Sequence, residues 1–353
     1  MLSLFQKVAN HYTKNLPFVV YSKPNSEKII GVFQNVDTLH LITDFTENGF
    51  AFVSFDGEKQ YFIPLHGSDV FVDKLPDNEL HIARNGEIEI DVVAKNNFEN
   101  LVEMGIQAIQ NKLFDKVVLS RKEAVKIIDL DIELVISKLK SNYPNAFNYC
   151  FFHPKIGLWF GATPEQFLQV NDKTIKTVAL AGTQLYSESI TWETKEKKEQ
   201  AIVTDFITSG LHDYCYDLIV SEPFTVKAGA IVHLKTDLKG ILNSKSDLGN
   251  LIKALHPTPA VCGLPKEIAK EFILRNENYN RKFYTGFLGE LNVDFCTFRK
   301  ENSDLFVNLR CMEVENETAY IYVGCGITKD SIPENEYIET VNKSMTIRKV
   351  VNL

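Results

Sequence analysis

The segment PENEYIETVNKS places Glu336, Glu339 and Lys343 at i, i+3 and i+7, so on a helix they stack along one face of the first two turns. Two carboxylates then face one way. Such a pair is either a helix N-terminus dressed with acids to suit its dipole, or part of a divalent-cation site completed by an acid from elsewhere. Glu199 is a candidate for that acid, because in ETKEKKEQAIVTDF it stands where a charged stretch gives way to an apolar one. A solvated surface carboxylate is the plainer alternative. Hard oxygen ligands with no Cys or His partner would suit magnesium. Lys116 opens the strand-like run KVVLSR and is either a solvated strand end or a buried amine, which desolvation would let act as a base near neutrality. Glu165, in WFGATPEQFL, is either a helix-start acid beside Pro164 or a carboxyl in an apolar pocket, where a raised pKa would let it donate a proton.

These groups need elements to position them. Up to about residue 94 the chain offers short β-rich runs between polar turns (PFVVYS, KIIGVFQ, LHLIT, GFAFVSF, YFIP and EIEIDV), which predict an antiparallel meander. From Asn96, the spacing of Phe98, Leu101, Val102, Gly105, Ile106 and Ile109 predicts a helix with one buried stripe. Beyond it, strand-like runs such as KVVLSRKEAVKI, FNYCFFH, GLWFGA, TIKTVALAG, KFYTGFLGEL, LFVNLRCMEV and TAYIYVGCGI often follow one another with only a turn between. Helices are expected at DLDIELVISKLKSNY, ETKEKKEQAIVTDFITSGLHDY, SDLGNLIKAL, PKEIAKEFILRN and PENEYIETVNKSMTIRKVV. Consecutive strands without intervening helices predict an α+β fold with large antiparallel sheets, not a doubly wound parallel sheet. The expected division is a strand-rich segment over 1–95, continuous with the same fold, and a core over 96–353.

Composition narrows the function classes. The 353 residues carry 38 Lys+Arg against 46 Asp+Glu, a net charge of -8 that offers a polyanion no footprint, so no nucleic-acid partner is expected. The start, MLSLFQKVANHYTKN, lacks the apolar run of a secretory signal, and no later stretch is long enough to span a bilayer. Six scattered cysteines without a Cys-x-x-Cys pair read as reduced, buried thiols, which argues against a zinc site and for a cytoplasmic protein. Dinucleotide, Walker, Gly-x-Ser-x-Gly and His-Glu-x-x-His motifs are all missing.

The segments KVVLSR, GATPEQFL, ALAGT, KEKKEQ, HLKT, HPTPAVCGLP, NLRCMEV and GCGITKDSIPENEYIETVNK appear in this order. Together they resemble the chorismate-utilising enzyme family, from about Phe98 to the end of the chain. The resemblance implies an α/β sandwich of two large antiparallel sheets with flanking helices, and a Mg2+ site between the sheets. By it, Glu199 and Glu339 look like direct metal ligands, and Glu336 like a third acid acting directly or through water. Arg310 and Lys343, with the backbone at Gly324, match the residues that hold the enolpyruvyl carboxylate of chorismate, while Gly182 and Thr183 would approach its ring. His233 and His256 are expected to serve hydrogen bonding or structure near the site. Gln200 departs from the family pattern, which commonly has His beside the metal acid; Cys325 replaces a small residue.

Two positions discriminate among members by resemblance. Amine-using members have Gln where this chain has Lys116, and those that attack covalently carry Lys where it has Ala181. Lys116 with Ala181 therefore implies that water is the nucleophile. The expected reaction is attack by Lys116-activated water at C2 of chorismate, migration of the double bonds, and loss of the C4 hydroxyl protonated by Glu165. HPTPAV is typical of the isochorismate-forming branch and argues against members that go on to eliminate pyruvate and release salicylate. A silent chorismate-binding sensor is the rival from another class. No glutaminase subunit is expected, and the chain is expected to act as a monomer.

Overall fold

The computed structural model describes residues 3–74, 91–228, 231–243 and 247–351. Two antiparallel sheets hold all of the described strands. The first runs, in spatial order, Gly263–Leu264, Lys116–Lys126, Thr318–Ile327, Cys311–Glu315, Gly157–Thr163, Phe147–His153, Phe18–Ser22, Lys28–Gln34 and Ser68–Lys74. The second runs Cys215–Val220, Ile231–Leu242, Thr174–Leu185, Gln166–Asn171, Asn302–Val307, Phe287–Leu291, Gly49–Val53, Gln60–Pro64 and His40–Leu41, with Phe224–Ala228 also on Ile231–Leu242. This is the α+β sandwich expected from the order of strand-like runs.

The sheets pack face to face through an aromatic layer. Phe52 of the second sheet stacks on Phe151 of the first and on Phe283, at ring-centroid distances of 4.3 and 4.2 Å, and Phe147 stacks on Phe306 at 4.4 Å. Rings of this size are the largest apolar payload a sheet interior can take, at ~1.5–3 kcal/mol per fully buried Phe. The outer face of the first sheet is covered by the helices Leu4–Thr13, Ile132–Asn142 and Pro333–Val351. The outer face of the second is covered by Thr194–His212 and Leu248–Leu255. With both faces of each sheet covered, strands such as Phe18–Ser22, Gly49–Val53 and Phe147–His153 are buried at every position, and their sequences lose the alternation of a half-exposed sheet. Among the described residues no helix is long and apolar enough to cross a membrane.

Several local expectations are corrected. The early strands are not one meander: Phe18–Ser22, Lys28–Gln34 and Ser68–Lys74 join the first sheet, while His40–Leu41, Gly49–Val53 and Gln60–Pro64 join the second. Residues 87–90, the body of the EIEIDV run, lie outside the described residues. The next helix starts at Val92, not Asn96, because the Asp91 side chain accepts from the Val93 and Ala94 N–H groups as its N-cap. The run LFVNLRCMEV is two strands, Asn302–Val307 and Cys311–Glu315, which belong to different sheets. Both halves are buried, so hydrophobic pattern alone does not reveal the crossing between them.

A buried charge cluster ties the early strands to the second sheet. Glu290 accepts from Tyr21 Oη at 2.5 Å and from Lys23 Nζ at 2.6 Å, and Lys23 also reaches Asp294 at 3.1 Å. Removing the cation would strand a carboxylate whose side chain is only 1% exposed. Lys23→Met is therefore expected to destabilise the fold by about 3–5 kcal/mol, read from urea unfolding followed by far-ultraviolet circular dichroism.

Candidate active site

The site is built where the chain passes from one sheet to the other. One crossing, residues 164–165, leaves Gly157–Thr163 for Gln166–Asn171; another, 308–310, leaves Asn302–Val307 for Cys311–Glu315. They lie side by side. The Val307 N–H donates to the Glu165 carbonyl at 3.0 Å, the Thr163 hydroxyl donates to the Val307 carbonyl at 2.6 Å, and the Ala162 N–H donates to the Arg310 carbonyl at 3.0 Å. Asn308 is fully buried and locks the junction, accepting from Tyr149 Oη at 2.7 Å and donating to the Phe283 carbonyl at 2.9 Å. Arg310 takes left-handed backbone geometry, φ 48°, an unfavourable choice for a residue with a Cβ that the neighbouring bonds hold in place. Glu165 thus starts no helix: it stands on a sheet crossing.

These crossings frame a cavity of about 190 Å³ lined by both sheets and two helices. Lys116, Glu165, Gly182, Glu199, Arg310, Gly324, Glu336, Glu339 and Lys343 all line it, from positions spread over more than two hundred residues. The backbone of Thr183 continues the strand opposite His233, and its side chain lies outside those described. Helix Thr194–His212 presents Glu199 and is anchored by Gln200, whose amide donates to Thr236 Oγ1 at 2.6 Å and Thr204 Oγ1 at 2.9 Å. Helix Pro333–Val351 presents Glu336, Glu339 and Lys343. It is held to the first sheet by Arg121, which donates to Thr340 Oγ1 at 2.7 Å and covers the Tyr337 ring.

Three glycines shape the walls. Gly182 sits at a bulge between Ala181 and Thr183 with φ +70°, and a Cβ there would lie 3.1 Å from Glu196 Cβ. At Gly324 a Cβ would meet the Leu119 carbonyl at 2.7 Å and Tyr284 Oη at 3.0 Å, and at Gly326 it would press on Lys116 and Glu199.

Opposite charges meet inside the cavity. Lys116 is 3% exposed and its Nζ donates to Glu199 Oε1 at 2.6 Å. Lys343 Nζ lies 2.6 Å from Glu339 Oε1 and donates to the Gly324 carbonyl at 2.9 Å, while Arg310 Nη1 donates to the Lys343 carbonyl at 3.2 Å. Burial pushes the Glu165 carboxyl up to about 7, against the opposing pull of Lys116, Lys343 and Arg310. Burial, with the Glu336 and Glu339 carboxylates, drives the Cys325 thiol well above its ordinary range. His233 is pulled down to about 4 by burial, and its Nδ1 lies 3.2 Å from the Gly182 carbonyl; the neutral ring donates there. His256 lies outside the cavity lining, with Nε2 at 3.2 Å from the Ser54 carbonyl and its ring packed edge-on against Phe167 and Phe287.

Other lining residues escaped the sequence reading. Glu196 precedes Glu199 by three positions, the same spacing as Glu336 and Glu339, but is camouflaged by the run of lysines around it. Its Oε2 is buried without a hydrogen-bond partner. Tyr284 and Tyr322 stack on each other at 5.6 Å and carried no local signal as site residues. Among the described residues no three Cys, His, Asp or Glu side chains close into a ready metal cluster, and Glu199 and Glu339 are each held by an ammonium group.

With this geometry in hand, the comparisons place the chain. A family profile described as chorismate binding enzyme matches residues 72–352, and the chain belongs to that family. It is similar to isochorismate synthase DhbC of Bacillus subtilis (strain 168), 29% identical over 278 residues that make up 72% of this chain and 68% of the relative. It is also similar to isochorismate synthase MenF of Escherichia coli (strain K12), 26% identical over 270 residues; the match spans 73% of this chain but only 61% of that relative. Among solved structures, a Bacillus anthracis protein assigned as a 2,3-dihydroxybenzoate-specific isochorismate synthase, DhbC, superposes with TM-score 0.79 at 26% identity, covering 99% of this chain and 100% of that one. Anthranilate synthase component I from Streptococcus pneumoniae, at 21% identity and TM-score 0.69, covers 94% of this chain and 92% of its own and shares the fold.

The raised Glu165 has a thermodynamic signature. The folded chain holds a proton there that the unfolded chain releases near pH 4.5, so this group makes stability fall as pH rises from about 4.5 through about 7. Glu165→Gln removes that penalty. The variant is expected to be more stable than the parent above pH 7, with the difference vanishing towards pH 4.5, as measured by urea titrations at pH 5, 6, 7 and 8.

Proposed function

We propose that the chain is an isochorismate synthase, which adds water at C2 of chorismate and expels the C4 hydroxyl. The observation that carries this reading is a buried amine and a buried, readily protonated carboxyl, Lys116 and Glu165, facing one cavity in a chain of the chorismate-binding family. Water must lose a proton to attack, and the departing hydroxyl must gain one; the two groups supply a base and an acid. With its carboxyl pushed up to about 7, a large share of Glu165 is protonated near neutrality, the form an acid needs. Lys116 starts in an ion pair with Glu199. The ammonium must give up the proton it carries in that pair before, as a neutral amine, it can take one from the attacking water.

Arg310 and Lys343, which line the cavity, would hold the enolpyruvyl carboxylate, with the guanidinium offering a planar fork and the backbone at Gly324 assisting. Gly182 and Thr183 would pass close to the ring. His233, neutral and fixed by the Gly182 carbonyl, leaves the cavity's positive charge to the two lysines and the arginine.

A magnesium ion fits the donor set. Five carboxyl groups face the cavity (Glu165, Glu196, Glu199, Glu336 and Glu339) against three permanent or potential cations, so a substrate dianion would enter an already acidic space. Glu199 and Glu339 would bind the ion, Glu336 directly or through water, and the orphaned Glu196 oxygen offers a further hard acceptor. Bound there, Mg2+ would supply the positive charge that draws a substrate carboxylate in.

The deciding experiment incubates the protein with chorismate and Mg2+, with and without chelator, and resolves the products by chromatography. Chelator-sensitive isochorismate is expected; salicylate accumulating alone would assign the pyruvate-eliminating reaction instead, and binding without turnover a sensor. Whether the product feeds quinone or siderophore synthesis is then read from the companion enzymes. Lys116→Gln is expected to lower isochorismate formation by at least about a hundredfold, the scale of a lost general base. Glu199→Ala and Glu339→Ala should each weaken Mg2+ binding by about ten- to a hundredfold in calorimetric titration.

A further inference from the structure

The strand Lys116–Lys126 pairs along its length with Thr318–Ile327 on one side, but on the other, among the described residues, meets only the two-residue strand Gly263–Leu264. The Val118 N–H still reaches the Cys262 carbonyl at 2.7 Å. Past that point no strand among the described residues lies beside the edge, and its backbone groups turn to two side chains instead. Arg281 Nη2 donates to the Val118 carbonyl at 2.7 Å, and Glu277 Oε1 accepts from the Ser120 N–H at 2.7 Å and the Ser120 hydroxyl at 2.8 Å. The two side chains also grip each other through two bonds of 2.7 and 2.6 Å. A third branch of the guanidinium, Nη1, donates to the Val261 carbonyl at 3.0 Å and to Thr285 Oγ1 at 3.2 Å.

The Arg281 and Glu277 side chains are only 2% and 1% exposed. Burying an ion pair this deeply is weak evidence of a stabilising purpose, because apolar replacements of similar volume are often at least as stable. Its partners suggest another purpose. Val118, Val261 and Thr285 all line the cavity, and Lys116 stands two residues before Val118, on the same side of the strand. We infer that the Glu277–Arg281 pair is a positioning device: it satisfies backbone groups along this stretch of the strand edge, joins three walls of the cavity, and thereby fixes where the Lys116 amine lies. The inference rests on the reading of Lys116 as the base.

Arg281→Lys keeps the charge but cannot serve Val118, Val261 and both Glu277 oxygens from one ammonium. The paired change Glu277→Leu with Arg281→Met removes both charges together and guards against a variant that fails only because one buried charge is left unpaired. Both are expected to bind chorismate with wild-type affinity in calorimetry and to keep KM within about twofold. Their kcat is expected to fall about ten- to a hundredfold, as for a misplaced catalytic group. Wild-type kcat in either folded variant, or a loss of activity that merely tracks the folded fraction, overturns the inference. A second readout is independent of turnover: in a crystal structure of Arg281→Lys, the 2.6 Å contact between Lys116 Nζ and Glu199 is expected to be lost, and an unmoved amine overturns the positioning role. Absence of turnover in the wild-type protein would count against the proposed function alone.

Discussion

Enclosed charge is the constraint around which this protein is organised. Glu199 and Glu339 are neutralised by Lys116 and Lys343 within a single cavity, while Glu165 is left without an ammonium bonded to it and responds by holding its proton more tightly. Each of these states depends on the others, because low-dielectric surroundings strengthen attraction and the cost of isolation alike. The arrangement persists only while the walls are rigid. Rigidity comes from the aromatic layer between the sheets, from Asn308 at the crossing, and from the Arg121 and Gln200 anchors that seat the two acid-bearing helices.

The sheet crossings explain why the cavity lies where it does. A strand that leaves one sheet for the other must break its ladder, and the freed backbone groups have to find partners. Here the two crossings satisfy each other, and the residues between them, Glu165 and Arg310, are released from strand pairing with their side chains at the cavity. The left-handed turn at Arg310 is the local conformational cost of this exchange.

Much of this was legible in the sequence, though unevenly. Long strands and helices announced themselves by composition and spacing, and the run of strands without helices gave the sandwich. The acid pair Glu336 and Glu339 was visible because helical periodicity forces the two side chains onto one face. Lys116 and Glu165 were ambiguous from local pattern, since a lone charge beside apolar residues reads equally as solvated; the order of eight segments, and then the burial of both, separated the alternatives. The division of the early strands between two sheets was hidden, because strands covered on both faces lose the alternation that would show which way they turn. Arg281 and Glu277 were hidden for a different reason: their role is defined by backbone groups of a distant strand, and no property of their own segment records those partners.

The helix Pro333–Val351 supplies Glu336, Glu339 and Lys343 to a cavity whose other walls are all made earlier in the chain. During synthesis the two sheets are therefore nearly complete before the last charged groups leave the ribosome. Until then the nascent protein holds a half-built chamber in which Lys116 can already find Glu199 but the opposite wall is open to water. A chain without this helix would keep the Lys116–Glu199 wall and lose the acid pair and the ammonium that face it.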